Sequence, residues 1–169
     1  PIVSVTDACV PLTSIIPTIM GYALLALHET PDQPANGLTR HESASIYLYT
    51  MDWNDPEESL NTQLNRTLSR ADRDELRPWF KYLKLLLTAL VKLPPVHSCR
   101  LWCAVPKNMA VNLSRGTSLI WWEFVSTTTS LTILQNNLRL EQPGERTWLA
   151  IESINGRNVQ AHSYHHDAK

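Results

Sequence analysis

Trp121-Trp122-Glu123-Phe124-Val125-Ser126-Thr127-Thr128-Thr129-Ser130 runs from an aromatic segment straight into five consecutive hydroxyl side chains. Together with Ser118-Leu119-Ile120 before it, the aromatic part has the composition of a strand, because aromatic and β-branched side chains suit a pleated, half-buried surface. The Ser and Thr hydroxyls that follow donate or accept hydrogen bonds and compete for nearby backbone groups. Two readings follow. Local composition alone gives a strand end passing into a hydroxyl-stabilised turn. A functional reading gives a row of small polar groups at the rim of an apolar cleft.

Working outward, residues 99–105, 117–125, 146–154 and 157–161 each have strand length and β-forming composition. Asn155-Gly156 between the last two is a two-residue hairpin signal, and Arg115-Gly116 and Pro143-Gly144 mark further turns. The first half reads differently. Residues 15–27 are apolar, are interrupted by Pro17 and Gly21, are too short to span a bilayer and read as a buried helix. Thr39-Arg40-His41-Glu42 has the capping-box pattern, which predicts a helix to about Met51. Asp55-Pro56 is a second start signal, followed by Leu60, Leu64 and Leu68 on one face. A third helix opens near Asp72 or Arg77-Pro78 and carries Trp79, Leu83, Leu86, Leu87 and Leu90 towards a core, with Lys81, Lys84 and Lys92 towards solvent. Pro94-Pro95 ends it. His28 and His41 read as surface or capping groups. The expected fold is α+β in one domain over residues 1–169: a helical lobe at 1–95 and a β core at 96–169.

Composition bounds the function. The 169 residues suffice for a sizeable core, and 43% hydrophobic with 18% charged residues describes a globular chain. A formal net charge of -1 gives no electrostatic reason to expect nucleic acid or an anionic membrane as partner. No signal-peptide pattern or spanning segment is read, which leans towards an intracellular setting. Cys9, Cys99 and Cys103 are too few for a disulfide framework, and with no matching ligand set near them or near His162, His165 and His166 no metal is expected. The three histidines read as a solvated tail. Asn65-Arg66-Thr67 and Asn112-Leu113-Ser114 are sequons of low information.

Phe124-x-Ser126-Thr127-Thr128 after the Trp-Trp segment resembles the Ser-Thr-Ser motif of arginine-specific mono-ADP-ribosyltransferases, most closely the eukaryotic, rotifer-type members. The resemblance extends over Gly37-Leu38-Thr39, Glu42-Ser43-Ala44-Ser45-Ile46, Leu48-Tyr49-Thr50-Met51, Arg77-Pro78-Trp79, Tyr82-Leu83-Lys84-Leu85, Leu93-Pro94-Pro95 and His162-Ser163-Tyr164. It implies a split β core gripping NAD, with helices packed at one side, and transfer of ADP-ribose from NAD to a protein arginine.

Breaking the nicotinamide–ribose bond through an oxocarbenium-like state calls for a cation on the pyrophosphate, a surface that fixes the ribose, and a carboxylate facing the sugar. By the resemblance, Ser126 is the catalytic ribose-orienting residue, and Ser126, Thr127, Thr128 and Cys103 are the cofactor-binding positions. Cys103 stands where the family has its strand Arg, and Ala104 where it has Gly. A thiol does not replace a planar, permanently charged phosphate binder. Arg100 lies three residues away, an odd offset that places it on the other face of the strand. Glu123 adds negative charge beside a site for a dianion. The family's Glu-x-Glu turn falls after His165-His166-Asp167-Ala168-Lys169, and Glu152, expected mid-strand, does not replace it. Weak or absent NAD binding is therefore expected. The alternative function is a degenerate transferase fold acting as a binding or regulatory module. A third reading makes Cys103 a reactive thiol, against which stands the lack of an activating cation on its face.

Overall fold

The computed structural model describes residues 3–70, 72–96, 99–105, 114–132, 134–135 and 146–165. It mixes helices with small antiparallel sheet, compatible with α+β, and divides into two compact units. One comprises Pro1–Pro94 with Arg157–Ala168, the other Pro95–Gly156.

The first unit is built around one helix. Helices α1 (Val5–Cys9), α2 (Ile19–Glu29), α4 (Leu60–Ser69) and α5 (Phe80–Lys92) all pack on α3 (Arg40–Thr50). α3 buries Glu42, Ser43, Ala44, Ser45, Ile46, Leu48 and Tyr49, so it is covered nearly all round. Its small residues let neighbours approach closely. Its start is the capping box expected from sequence: Thr39 Oγ1 accepts from the Glu42 amide, and the Glu42 carboxylate accepts from the Thr39 amide at 2.8 Å. Arg40, one residue on, turns back to cap the end of α2. Its guanidinium donates to the carbonyls of Leu27 and Thr30 and pairs with Asp32 at 2.7 Å, satisfying carbonyls that the helix end leaves free.

Several local expectations shift. The helix read at residues 15–27 begins at Ile19, after Pro17, and leaves Leu24 and Leu25 exposed. Asp55 caps only a 3-10 turn, Pro56–Glu58, after which Ser59 caps α4. The third helix opens as the 3-10 segment Asp74–Trp79 before α5. The α5 core stripe is Tyr82, Leu85, Leu86 and Ala89; Leu87 faces outward. Tyr82 is fully enclosed and its hydroxyl donates to the Ser45 carbonyl at 2.7 Å, meeting the requirement that a buried polar group find a partner. Lys92, read as a solvent residue, ion-pairs with Glu42. α1 was not expected from the sequence at all. Its N-terminal amide at Val5 donates to His41 Nδ1, so His41 is a capping group between helices.

The second unit contains a short antiparallel sheet in which β2 (Arg100–Val105) pairs with β3 (Thr147–Glu152). Both strands fall within segments expected from sequence; β1 (Pro95–Val96) and β4 (Gly156–Arg157) have two residues each. The expected hairpin at Asn155-Gly156 is not formed: β3 pairs with β2, β4 pairs with β1, and the Gly156 amide donates to Ser153 Oγ at 2.8 Å. Beyond Arg157 the expected strand gives way to the 3-10 turn Gln160–His162. Residues 117–125 form no strand. The Pro143-Gly144 turn, Asn112 and Leu113 of the second sequon, and His166 lie outside the described residues.

Candidate functional site

The site read from sequence falls on β2 and on the hydroxyl cluster, and one contact brings these stretches together. Trp102 and Thr128 form an isolated antiparallel bridge: the Trp102 amide donates to the Thr128 carbonyl at 2.8 Å, and the Thr128 amide donates back at 3.0 Å. Opposed residues in an antiparallel pair project to the same face, and neighbours along a strand alternate. The register of β2 with β3 is unbroken over six residues, so the faces are fixed without a bulge. Arg100, Trp102 and Ala104 lie on one face, opposite Glu152, Ala150 and Trp148. Leu101, Cys103 and Val105 lie on the other, opposite Ile151, Leu149 and Thr147.

Thr128 therefore shares a face with Trp102 and Arg100. Cys103 points the other way, buried at 4% exposure, and burial pushes its thiol above the ordinary value. A buried thiol is a poor nucleophile, which weighs against the reading of Cys103 as a reactive group. As expected, Arg100 and Cys103 occupy opposite faces.

The hydroxyl cluster itself is a turn. Thr128 Oγ1 accepts from the Ser130 amide at 3.1 Å, the local bond that Ser and Thr offer as an alternative to strand pairing. Ser126 and Thr127 are exposed on the approach to it. Trp121 is half-buried and its indole N–H donates to Glu123 at 3.3 Å, while Trp122 is 56% exposed.

Sequence reasoning missed a second cluster, in the helical unit. His162 is 3% exposed, which corrects its reading as a solvated tail residue. Its Nε2–H donates to Asn36 Oδ1 at 3.2 Å, which leaves Nδ1 to accept from the Ser43 hydroxyl at 2.9 Å. Burial holds its pKa below the ordinary imidazole value. Asn36 adopts a left-handed backbone conformation, φ 58°, which Asn tolerates better than most residues. A shallow depression of about 440 Å³ lined by Asn36, Pro94, Asn158, Gln160 and Ala161 lies in the same unit. The one available sequence signal was Asn36-Gly37, a turn pair whose partner lies 126 residues away.

Among the described residues no group of three or more His, Cys, Asp or Glu side chains could hold a metal ion, and no helix is long and apolar enough to cross a membrane. Asn65 of the first sequon lies within α4, with its amide donating to the Tyr49 hydroxyl at 3.2 Å. Comparison with known proteins gives no match to a family model, a curated protein or a solved structure.

Proposed function

We propose that this chain is an NAD–protein-arginine mono-ADP-ribosyltransferase-like domain, with NAD as substrate, Ser126 orienting the nicotinamide ribose, and a protein arginine as acceptor. The observation that carries this reading is the Trp102–Thr128 bridge, which sets the hydroxyl cluster against the strand on which the resemblance puts the phosphate contact. On this reading Arg100, sharing a face with Thr128, is a better placed cation for the pyrophosphate than the Cys103 position. Glu152 stands opposite Arg100 and offsets part of its charge, so NAD affinity in the millimolar range is expected.

A second reading keeps the fold as a binding or regulatory module without transfer, and the buried, uncharged side-chain type at position 103, where the resemblance calls for Arg, favours it. Calorimetry with NAD, paired with transfer to a soluble arginine analogue, separates the two. The transferase reading expects weak NAD binding that Arg100→Ala and Ser126→Ala each reduce and Cys103→Ala leaves unchanged, with measurable transfer. Binding without transfer selects the module. No NAD binding, or binding indifferent to Arg100 and Ser126, removes the ADP-ribosyltransferase-like assignment of the site.

A further inference from the structure

Residues 157–165 are fastened to the helical unit at four separate points. The Arg157 guanidinium donates to the Leu93 carbonyl at 2.7 Å, just past the end of α5. His162 is enclosed between Ser43 and Asn36. The Tyr164 amide donates to Thr50 Oγ1 at 2.8 Å, and its ring meets Tyr47 edge-on at 5.6 Å. His165 reaches Asp52 at 3.3 Å. Of these fastenings, only the one at His162 is buried, and there the segment inserts a titratable ring between two neutral partners.

That choice has a consequence. A neutral imidazole satisfies both contacts, one nitrogen donating and the other accepting. A second proton converts Nδ1 from acceptor to donor, so the Ser43 hydroxyl must turn its hydrogen away. It also places a full charge in a buried site where, among the described residues, the ring's hydrogen-bond partners are the neutral Ser43 and Asn36. We propose that residues 157–165 form a proton-sensitive latch, docked on α3 while His162 is neutral and released when it is protonated.

The other ionisable groups on the packed elements do not produce the same response. On α3, Glu42 is committed to Lys92 of α5, Arg40 to Asp32 and the end of α2, and His41 accepts from the Val5 amide; burial pushes the Tyr47 hydroxyl above its ordinary value. On the segment itself, Arg157 keeps its charge. His165 is paired with Asp52 outside the buried site. The turn carrying Asn36 contributes no charged group of its own.

The sign follows from linkage. His162 has its pKa lowered in the docked state, so docking is full above the ordinary value of 6.5 and is lost as the pH falls through the lower docked value. At one pH unit below the ordinary value the released form gains by at most about tenfold.

The test uses the whole chain and follows exchange of the Tyr164 amide proton by NMR, corrected for intrinsic exchange rates, from neutral pH into mild acid. The expected result is a fall in Tyr164 protection of up to about tenfold per pH unit, with its midpoint tracking the His162 ring resonance. Amides in the middle of α3 should keep their protection. His162→Gln, which retains an amide donor and acceptor but does not titrate, should keep Tyr164 protected throughout. Tyr164 protection that is independent of pH, or that falls equally in His162→Gln, overturns the proposal. If His162→Gln fails to dock at neutral pH, the wild-type titration decides alone: coincidence of the two midpoints supports the latch, and a Tyr164 midpoint that departs from that of the His162 ring overturns it.

Discussion

Removing Lys92 should do more harm than neutralising the residue it pairs with. Glu42 has no accessible surface, and its carboxylate takes Lys92 Nζ on both oxygens, at 2.7 and 2.8 Å, besides the Thr39 amide. Burial alone would push the Glu42 pKa up, but the lysine and the Thr39 amide outweigh it and hold it below the ordinary value. Lys92→Met strands this carboxylate. Breaking a buried pair from one side costs ~3–5 kcal/mol, but the Lys92 side chain is 39% exposed, so water reaches part of the vacated position. The discounted expectation is about 2–3 kcal/mol. Glu42→Gln keeps an oxygen for the Thr39 amide and releases Lys92 towards water, for about 1–2 kcal/mol.

The double variant strands no charge and should resemble Glu42→Gln, giving a coupling of about 2–3 kcal/mol. Urea unfolding at neutral pH measures all three variants. Because the folded pKa of Glu42 is lowered, its contribution is complete above the ordinary carboxylate value of 4.5 and is lost as the pH falls through the folded value. Glu42→Gln should therefore flatten the acid side of the stability profile. Additive effects, or a Lys92→Met cost below that of Glu42→Gln, would refute the claim that the buried charge dominates this contact.

Two further substitutions follow from burial. Tyr82→Phe removes a hydroxyl that donates to Ser45 without emptying volume, and should cost about 0.5–1.5 kcal/mol in the same unfolding assay. Cys103→Arg, which restores the residue type that the family resemblance calls for, places a guanidinium on the face of Leu101, Leu149 and Ile151. It should lower stability by about 3 kcal/mol or more, read as a fall in melting temperature, and should not strengthen NAD binding.

How much of this was legible in the sequence depended on how local each cause was. The start of α3 is decided by Thr39 and Glu42, three residues apart, and its end falls before Met51, as expected. The start of α4 was misplaced because two caps follow one another, Asp55 and then Ser59, and only the first carries the proline that makes it conspicuous. α1 was overlooked because five residues are too few for a periodicity, although Ser4 caps the Asp7 amide as a capping pattern would suggest. Lys92 and His162 were misjudged for a different reason. Their partners lie 50 and 119 residues away, and nothing in the composition of a lysine-rich helix or a histidine-rich tail announces a buried contact at that range.

The segment at residues 117–125 shows why strong strand composition can fail to become a strand. β-propensity expresses the fit of a side chain to a half-buried pleated surface, so it is realised only where an edge and a face are available. β2 offers one edge to β3. On its other side the bonds described are the Trp102 exchange with Thr128, beyond the aromatic run. There Thr128 turns its hydroxyl onto the Ser130 amide, and the pairing has no regular ladder to extend. Leu119, Ile120 and Trp122 are left exposed, with the composition of a strand and no ladder to realise it. The backbone exchange holds Thr128 beside Trp102, on the face shared with Arg100. The candidate site therefore takes its geometry from one backbone bridge and not from a ladder.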